Sequence, residues 1–342
     1  MAVRVGVNGF GRIGRSFLRA VLAGGDGVEV VAVNDLAPAA TNAHLLARDS
    51  TQGRLQAEVR VEEGTLVVGE RRITVLAERE PAKIDWAGLG VQVVVESTGR
   101  FTTRDAAAQH LDGGAERVIV SAPASGVDAT FVVGVNDSAF DPARHQVVSN
   151  ASCTTNCVVP MAKVLDDAFG IRQGLMTTVH AYTNDQNLLD LVHKDLRRAR
   201  AAAVNIVPST TGAARATGLV LEHLKGRLDG QSLRVPVPVG SITDLTVVVG
   251  AEVDGAAVNE AFARAASSGP LARVLDYSEE PLVSSDIVGS PASCTFDAPL
   301  TMALGLDNGT TLVKAFGWYD NEWGYSNRLV DLVRVVAGER LA

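Results

Sequence analysis

Val7-Asn8-Gly9-Phe10-Gly11-Arg12-Ile13-Gly14-Arg15 carries three glycines in the spacing G-x-G-x-x-G. Just before it Val3, Val5 and Val7 alternate with Arg4 and Gly6, the period of a strand. After it Ile13, Phe17, Leu18, Val21 and Leu22 recur at helical spacing over Arg12 to Ala23, and Gly24-Gly25 ends the pattern. Val28 to Val33 is then nearly continuously apolar, as a strand covered on both faces must be. Strand, helix and strand make a β-α-β unit, and the glycines fall where the first strand meets the helix. In that place Gly9 permits a tight turn, Gly11 lets the backbone approach a pyrophosphate, and Gly14 lets helix and strand pack closely. The helix start offers unpaired N–H groups to the phosphates. Asp35 closes the second strand, roughly 20 residues beyond Gly14, where a carboxylate accepts from a ribose diol and repels a 2′-phosphate. The pattern predicts a dinucleotide site that takes NAD in preference to NADP.

Outward from this unit, strands are predicted at Leu66–Val68, Arg72–Leu76, Val91–Glu96, Arg117–Ser121 and Phe131–Val135, and a helix over Thr102–Leu111. The first 150 residues read as an open, mostly parallel sheet with a hairpin near 57–77. Beyond Ala151 the pattern changes. A helix runs to about Phe169, Gly174–Tyr182 reads as a strand, and a polar, arginine-rich segment covers Thr183–Ala203. Longer strands follow at Ser232–Val237, Ile242–Val253 and Thr311–Trp318, with helices at Ala256–Ser267 and Glu322–Val336. The fold class is α/β, with a cofactor domain at 1–152, a second, α+β domain with a large mixed sheet at 153–321, and the terminal helix at 322–342.

The 342 residues agree with two domains and need no disulfide or metal staple. Net charge is −8, which argues against a general nucleic-acid or anionic-membrane binder. Three cysteines make a disulfide framework improbable, and their spacing gives no zinc site, so no metal is expected. No basic leader precedes the first strand and no apolar run reaches membrane length, which points to the cytoplasm.

Ser149-Asn150-Ala151-Ser152-Cys153-Thr154-Thr155-Asn156-Cys157 stands where a helix begins. The positive end of a helix dipole lowers a thiol pKa, so Cys153 is a candidate nucleophile. Pro160 is expected to kink that helix or delay its start. His180 ends an apolar strand and is a candidate base, although spacing alone gives it no advantage over the other five histidines. Arg197, Arg198, Arg200 and Arg234 present forks suited to phosphate, but an arginine run is as readily a solvated face.

Taken together these segments resemble the phosphorylating glyceraldehyde-3-phosphate dehydrogenase family over essentially the whole chain. The marks are VNGFGRIGR (7–15), ND (34–35), ESTG (96–99), SAPA (121–124), SNASCTTNC (149–157), HAYTNDQ (180–186), DLRRARAAA (195–203), STTGAA (209–214) and WYDNEWGYSNR (318–328). The resemblance implies a Rossmann-type NAD domain and a catalytic domain. It implies that Cys153 attacks the aldehyde of glyceraldehyde 3-phosphate with His180 as base, and that a thiohemiacetal becomes a thioester that inorganic phosphate cleaves to 1,3-bisphosphoglycerate. It assigns Thr183, Asp185, Arg198 and Arg234 to the substrate phosphate, and Ser152, Thr154, Thr211 and Gly212 to inorganic phosphate. It assigns Gly9, Phe10, Gly11, Arg12, Ile13, Gly14, Asp35, Thr98, Gly99, Ser121, Asn321 and Tyr325 to the cofactor. It also implies a homotetramer in which Thr183–Ala203 crosses to a neighbouring subunit, and a terminal helix that packs back on the cofactor domain. Departures are Val237, where the family commonly has Thr, Val192, where it often has Pro, and Ser125, where it often has Lys. The neighbouring readings are erythrose-4-phosphate dehydrogenase and an inhibitor-tolerant paralogue of the same enzyme.

Overall fold

The computed structural model describes residues 2–25 and 27–341. They divide into two compact units, residues up to Ser152 together with those from Ser326 onward, and Cys153–Tyr325. Among the described residues no helix is long and apolar enough to cross a membrane.

The first unit begins with β1 (Val3–Asn8), α1 (Arg12–Gly24), β2 (Val28–Asn34) and α2 (Ala39–Ala47). The chain then forms β3 (Val59–Glu62), β4 (Thr65–Val68) and β5 (Arg71–Leu76), followed by β6 (Val93–Glu96) and α3 (Arg104–Asp112). Three short strands complete it, β7 (Arg117–Val120), β8 (Ala129–Thr130) and β9 (Val147–Ser149). Their order across the sheet is β8-β9-β7-β6-β1-β2-β5-β4-β3. The sheet is parallel except at β4, which pairs antiparallel with both β3 and β5 where the hairpin was expected. Val5, Val7, Ala32, Val94 and Ile119 are fully buried, which is why these strands are apolar on both faces. Strand order reverses around β1, so the loops after β1, β2 and β6 open a crevice at the carboxyl ends of the strands.

The second unit opens with α4 (Cys153–Phe169) and β10 (Ile171–Ala181). It continues with β11 (Val207–Thr210), α5 (Ala213–Val220), β12 (Leu228–Val235), β13 (Ser241–Val249) and α6 (Gly255–Ser267). It closes with β14 (Leu275–Ser278), β15 (Cys294–Asp297), β16 (Met302–Leu306) and β17 (Thr310–Tyr319), and α7 (Trp323–Val336) begins in it. The sheet order is β11-β12-β10-β13-β17-β15-β14, with β16 paired to β17. Parallel pairs β10/β12 and β14/β15 lie among antiparallel neighbours, so the sheet is mixed. Helix α4 lies across β13, β17 and β15, with Cys157, Val158, Met161 and Leu165 buried beneath it.

Several local readings change. Phe131–Val135 is not a strand. The Asn136 side chain accepts from the Val132 nitrogen and donates to the Thr130 oxygen, closing a turn at the end of β8. Pro160 lies inside an unbroken α4 and does not delay its start. Helices α2 and α5 and strands β9, β11 and β14 to β16 were not anticipated, because their patterns are short and carry little periodicity.

Candidate active site

The dinucleotide crevice is built from backbone necessity. Gly9 has φ +91°, and a Cβ there would stand 2.6 Å from the Thr98 nitrogen. A Cβ on Gly14 would stand 2.3 Å from the Gly9 oxygen, so α1 reaches the strand end only through a glycine. A Cβ on Gly11 would meet nothing within 4 Å, which leaves room above the helix start, and no side chain caps that start. Asp35 takes the Phe10 and Ala37 N–H groups on its two oxygens, each at 2.8 Å, and these bonds aim the carboxylate at the crevice. Thr98 and Leu36 share the lining of this cavity of about 430 Å³. Open helix start, unobstructed Gly11 and oriented acid fit a dinucleotide. Arg12 turns instead to Asp49 at 3.0 Å and Thr51 at 2.6 Å. Burial works to raise Asp49, but the Arg12, Gln52 and Thr51 hydrogen bonds outweigh it and hold the carboxyl well below its ordinary range.

Cys153 is the first residue of α4, two positions after Ala151, which adopts a left-handed φ of +54°. Its Sγ lies 3.4 Å from Nε2 of His180, the penultimate residue of β10. Nδ1 of that imidazole is 2.6 Å from the Ala181 carbonyl oxygen, which only accepts. Arg234 Nη1, which only donates, stands 2.5 Å from the same Nδ1, so that nitrogen lies between an acceptor and a donor, and Nε2 is the ring nitrogen turned to the thiol. Arg234 is the Cα partner of His180 across β12 and β10, and its Nη1 reaches the same carbonyl at 3.1 Å.

Burial first, and the Arg234 charge second, bring the His180 pKa down to about 3. Burial pushes the Cys153 thiol up, against the pull of the Arg234 charge and hydrogen bonds from Thr154. This differs from the reading of a thiol simply lowered by a helix start. Burial is the largest influence on both groups, so the resting pair is a thiol facing a neutral base, and charge appears when the proton moves.

Beneath the pair, the Tyr319 hydroxyl stands 2.9 Å from Thr154 Oγ1 and 2.7 Å from Thr178 Oγ1, with its ring edge-on to His180. The Ser241 hydroxyl accepts from the Ala181 N–H at 3.1 Å and donates to Asn321 Oδ1 at 3.1 Å. With that oxygen also taking the Gly240 N–H, the orientation of the Asn321 amide is set. Tyr319, Thr178 and Ser241 had no assigned role in the sequence reading. The strand period offered one signal, since Thr178 and His180 share a face of β10.

Arg198 pairs with Asp185 and lies 3.4 Å from an Asp195 oxygen, while His193 stands 3.8 Å from Asp185. Thr211 Oγ1 accepts from the Ala213 N–H, and Gly212 is the N-cap of α5. Thr183 holds the Gln186 N–H on its carbonyl. Ser121 follows β7, its N–H bonded to the Glu96 carbonyl; Gly99 has φ +70°, and Tyr325 is buried in α7.

Comparison with known proteins agrees with this geometry. Residues 3–104 match the family described as glyceraldehyde 3-phosphate dehydrogenase, NAD binding domain, and residues 152–321 match its C-terminal domain. The chain is 60% identical over 339 residues to glyceraldehyde-3-phosphate dehydrogenase of Streptomyces coelicolor, covering 99% of this chain and 100% of the relative. It is 56% identical over 341 residues to the enzyme of that name from Geobacillus stearothermophilus, covering 100% of both. With Mycobacterium bovis the identity is 57% over 342 residues, 98% of this chain and 99% of the relative. A cysteine facing the Nε2 of a buried histidine, a crevice shaped for a dinucleotide and similarity along the full length have one explanation: the chain belongs to the glyceraldehyde-3-phosphate dehydrogenase family.

Proposed function

We propose that this chain runs the family's dehydrogenase reaction in its phosphorylating form, with Cys153 as nucleophile and His180 as base. The observation that carries the reading is the 3.4 Å contact between Cys153 Sγ and His180 Nε2. As the sulfur attacks the aldehyde carbon of glyceraldehyde 3-phosphate, the thiol proton moves to Nε2. His180 then returns that proton to, and later removes it from, the hemiacetal oxygen. NAD, when bound, supplies the hydride acceptor that turns the thiohemiacetal into a thioester. Inorganic phosphate attacks the acyl carbon, the C–S bond breaks, and 1,3-bisphosphoglycerate leaves Cys153 as a thiolate.

Arg234 and Arg198 provide the cationic forks for the substrate phosphate, with Thr183 and Asp185 beside them. Ser152, Thr154, Thr211 and Gly212 are assigned to inorganic phosphate, and the open N-terminus of α5 at Gly212 supports that assignment. Gly9 to Gly14, Asp35, Thr98, Gly99, Ser121, Asn321 and Tyr325 are assigned to NAD. With its oxygen taken by Gly240 and Ser241, Asn321 has its amide N–H groups as the side suited to a carboxamide oxygen.

The assembly proposed is a homotetramer. Leu188, Leu189, Leu191, Val192 and Leu196 are exposed on one segment, Val192 at 94% and Leu196 at 82%, an arrangement suited to cover by a second copy of the chain. The cytoplasm is the proposed compartment, from the three cysteines left as free thiols.

The test is NADH formation from glyceraldehyde 3-phosphate with and without inorganic phosphate, beside Cys153→Ser. Sustained turnover that needs phosphate and Cys153 supports the proposal. Turnover indifferent to phosphate, with faster oxidation of erythrose 4-phosphate, overturns it. Light scattering tests the assembly, with Leu196→Glu expected to yield smaller species.

A further inference from the structure

Beneath the dinucleotide crevice lies a buried carboxylate that the reaction does not use. Glu96, the last residue of β6, is 2% exposed. Its Oε1 accepts from the Thr98 backbone N–H at 2.8 Å and from the Thr98 hydroxyl at 2.5 Å. Its Oε2 takes Asn8 Nδ2 at 2.6 Å and lies 3.1 Å from His110 Nε2. The ring of His110 is fully buried, and its Nδ1 receives the Trp86 indole N–H at 3.0 Å. An indole only donates, so Nδ1 is the acceptor and Nε2 is left as the donor toward Glu96. Both oxygens of the carboxylate are therefore ringed by donors.

The donors come from three places, Thr98 after β6, Asn8 at the end of β1 and His110 in α3. Asn8 ends β1, and its Oδ1 accepts from Asn34 Nδ2 at 2.7 Å, one residue before Asp35. Asn34 in turn exchanges two bonds with the Glu78 backbone, both at 2.8 Å. On the other side the Thr98 hydroxyl accepts from the Arg100 N–H at 3.1 Å. Glu96 thus joins the ends of β1 and β6 directly, and Asn8 and Asn34 extend the network to β2 and the segment at Glu78. Asn8, Asn34, Glu78, Thr98 and Arg100 all line the crevice.

We infer that Glu96, with its His110 partner held in one tautomer by the Trp86 indole, is a positioning residue for the dinucleotide: its carboxylate joins the ends of β1 and β6, and through Asn8 and Asn34 supports the loop after β2, in the arrangement that binds NAD. The inference rests on the placement of the dinucleotide proposed above. Glutamine is nearly isosteric yet cannot replace it. Its amide NH2 must face either the Asn8 and His110 donors or the Thr98 donors, and the Thr98 backbone N–H cannot reverse. Loss of a charge-assisted bond in a buried network costs enough to move affinity by tenfold or more.

The experiment compares Glu96→Gln with wild type in full steady-state kinetics and by NAD titration, with Asp35→Ala alongside. In Glu96→Gln the KM and Kd for NAD are expected to rise about tenfold or more. The kcat at saturating NAD and the KM for glyceraldehyde 3-phosphate should stay within about twofold, since in this inference Glu96 acts on cofactor binding alone. A purely structural role would lower melting temperature and active fraction without moving the KM for NAD. NAD affinity lost in Asp35→Ala but unchanged in Glu96→Gln overturns the role of Glu96. Affinity unchanged in both overturns the dinucleotide placement and this inference with it. If Glu96→Gln does not fold, His110→Leu removes one donor to the carboxylate: weaker NAD binding supports the inference, and unchanged binding overturns it.

Discussion

Arg234 and His180 face each other across two parallel strands and converge on one acceptor, the carbonyl oxygen of Ala181. The guanidinium charge thus sits beside both members of the reacting pair. It opposes protonation of the imidazole and favours ionisation of the thiol. Replacing Arg234 with Leu is expected to raise the KM for glyceraldehyde 3-phosphate at least about tenfold, the scale of a lost charge-assisted bond. It should also move the pH profile of Cys153 alkylation to higher pH. An unmoved alkylation profile would show that the arginine acts on the substrate alone.

His180 gives the stability of the fold a pH dependence whose sign is fixed. Its folded-state pKa is about 3, below the roughly 6.5 of an unfolded histidine. Between those values the unfolded chain binds the extra proton, so stability is full above about pH 6.5 and falls as the pH drops toward 3. The slope from this group approaches about 1.4 kcal/mol per pH unit. Urea unfolding at a series of pH values should show it, and His180→Asn should flatten it. The same variant should lose about 10²–10⁴ in kcat as the base disappears.

Asp35 is aimed by two backbone N–H groups, so its effect on the cofactor should be directional. Asp35→Asn removes the charge that repels a 2′-phosphate and halves the acceptor capacity offered to a ribose diol. The KM for NAD is expected to rise about tenfold, while discrimination against NADP narrows. Paired kinetics with both cofactors measures this. Equal losses with each would contradict the assignment.

Gly317 sits where β17 passes beneath α4. A Cβ there would stand 2.5 Å from Cys294 Sγ and 2.6 Å from Met161 Sδ. Gly317→Ala should cost about 1–3 kcal/mol through overpacking, read as a lower urea midpoint. The KM values of the folded enzyme should not move, because neither sulfur touches the reacting pair.

Local signals made the first unit readable. Valine-rich strands buried on both faces and three glycines with distinct steric duties declare themselves within a few residues. The reacting pair was less accessible, because it depends on register. Nothing in the spacing of six histidines selects His180; the pairing of β10 with β12 brings Arg234 to it, and the packing of α4 brings Cys153. The resemblance supplied what periodicity lacked. Glu96 stands within a motif that was noticed, yet its donors arrive from β1 and α3, and contacts of such separation leave no local trace. The helix start at Cys153 was visible in the sequence, whereas the tertiary packing that buries its thiol was not.

The three free cysteines occupy unequal environments, Cys153 partly open to solvent and Cys157 and Cys294 enclosed. A bulky thiol reagent therefore counts the chain in two instalments. In the native protein it reports occupancy of the active site, because one sulfur is within reach. The remaining two become countable only when the sheet parts from α4, so their slow appearance is a clock for global opening. A single colorimetric trace can separate loss of catalytic competence from loss of fold.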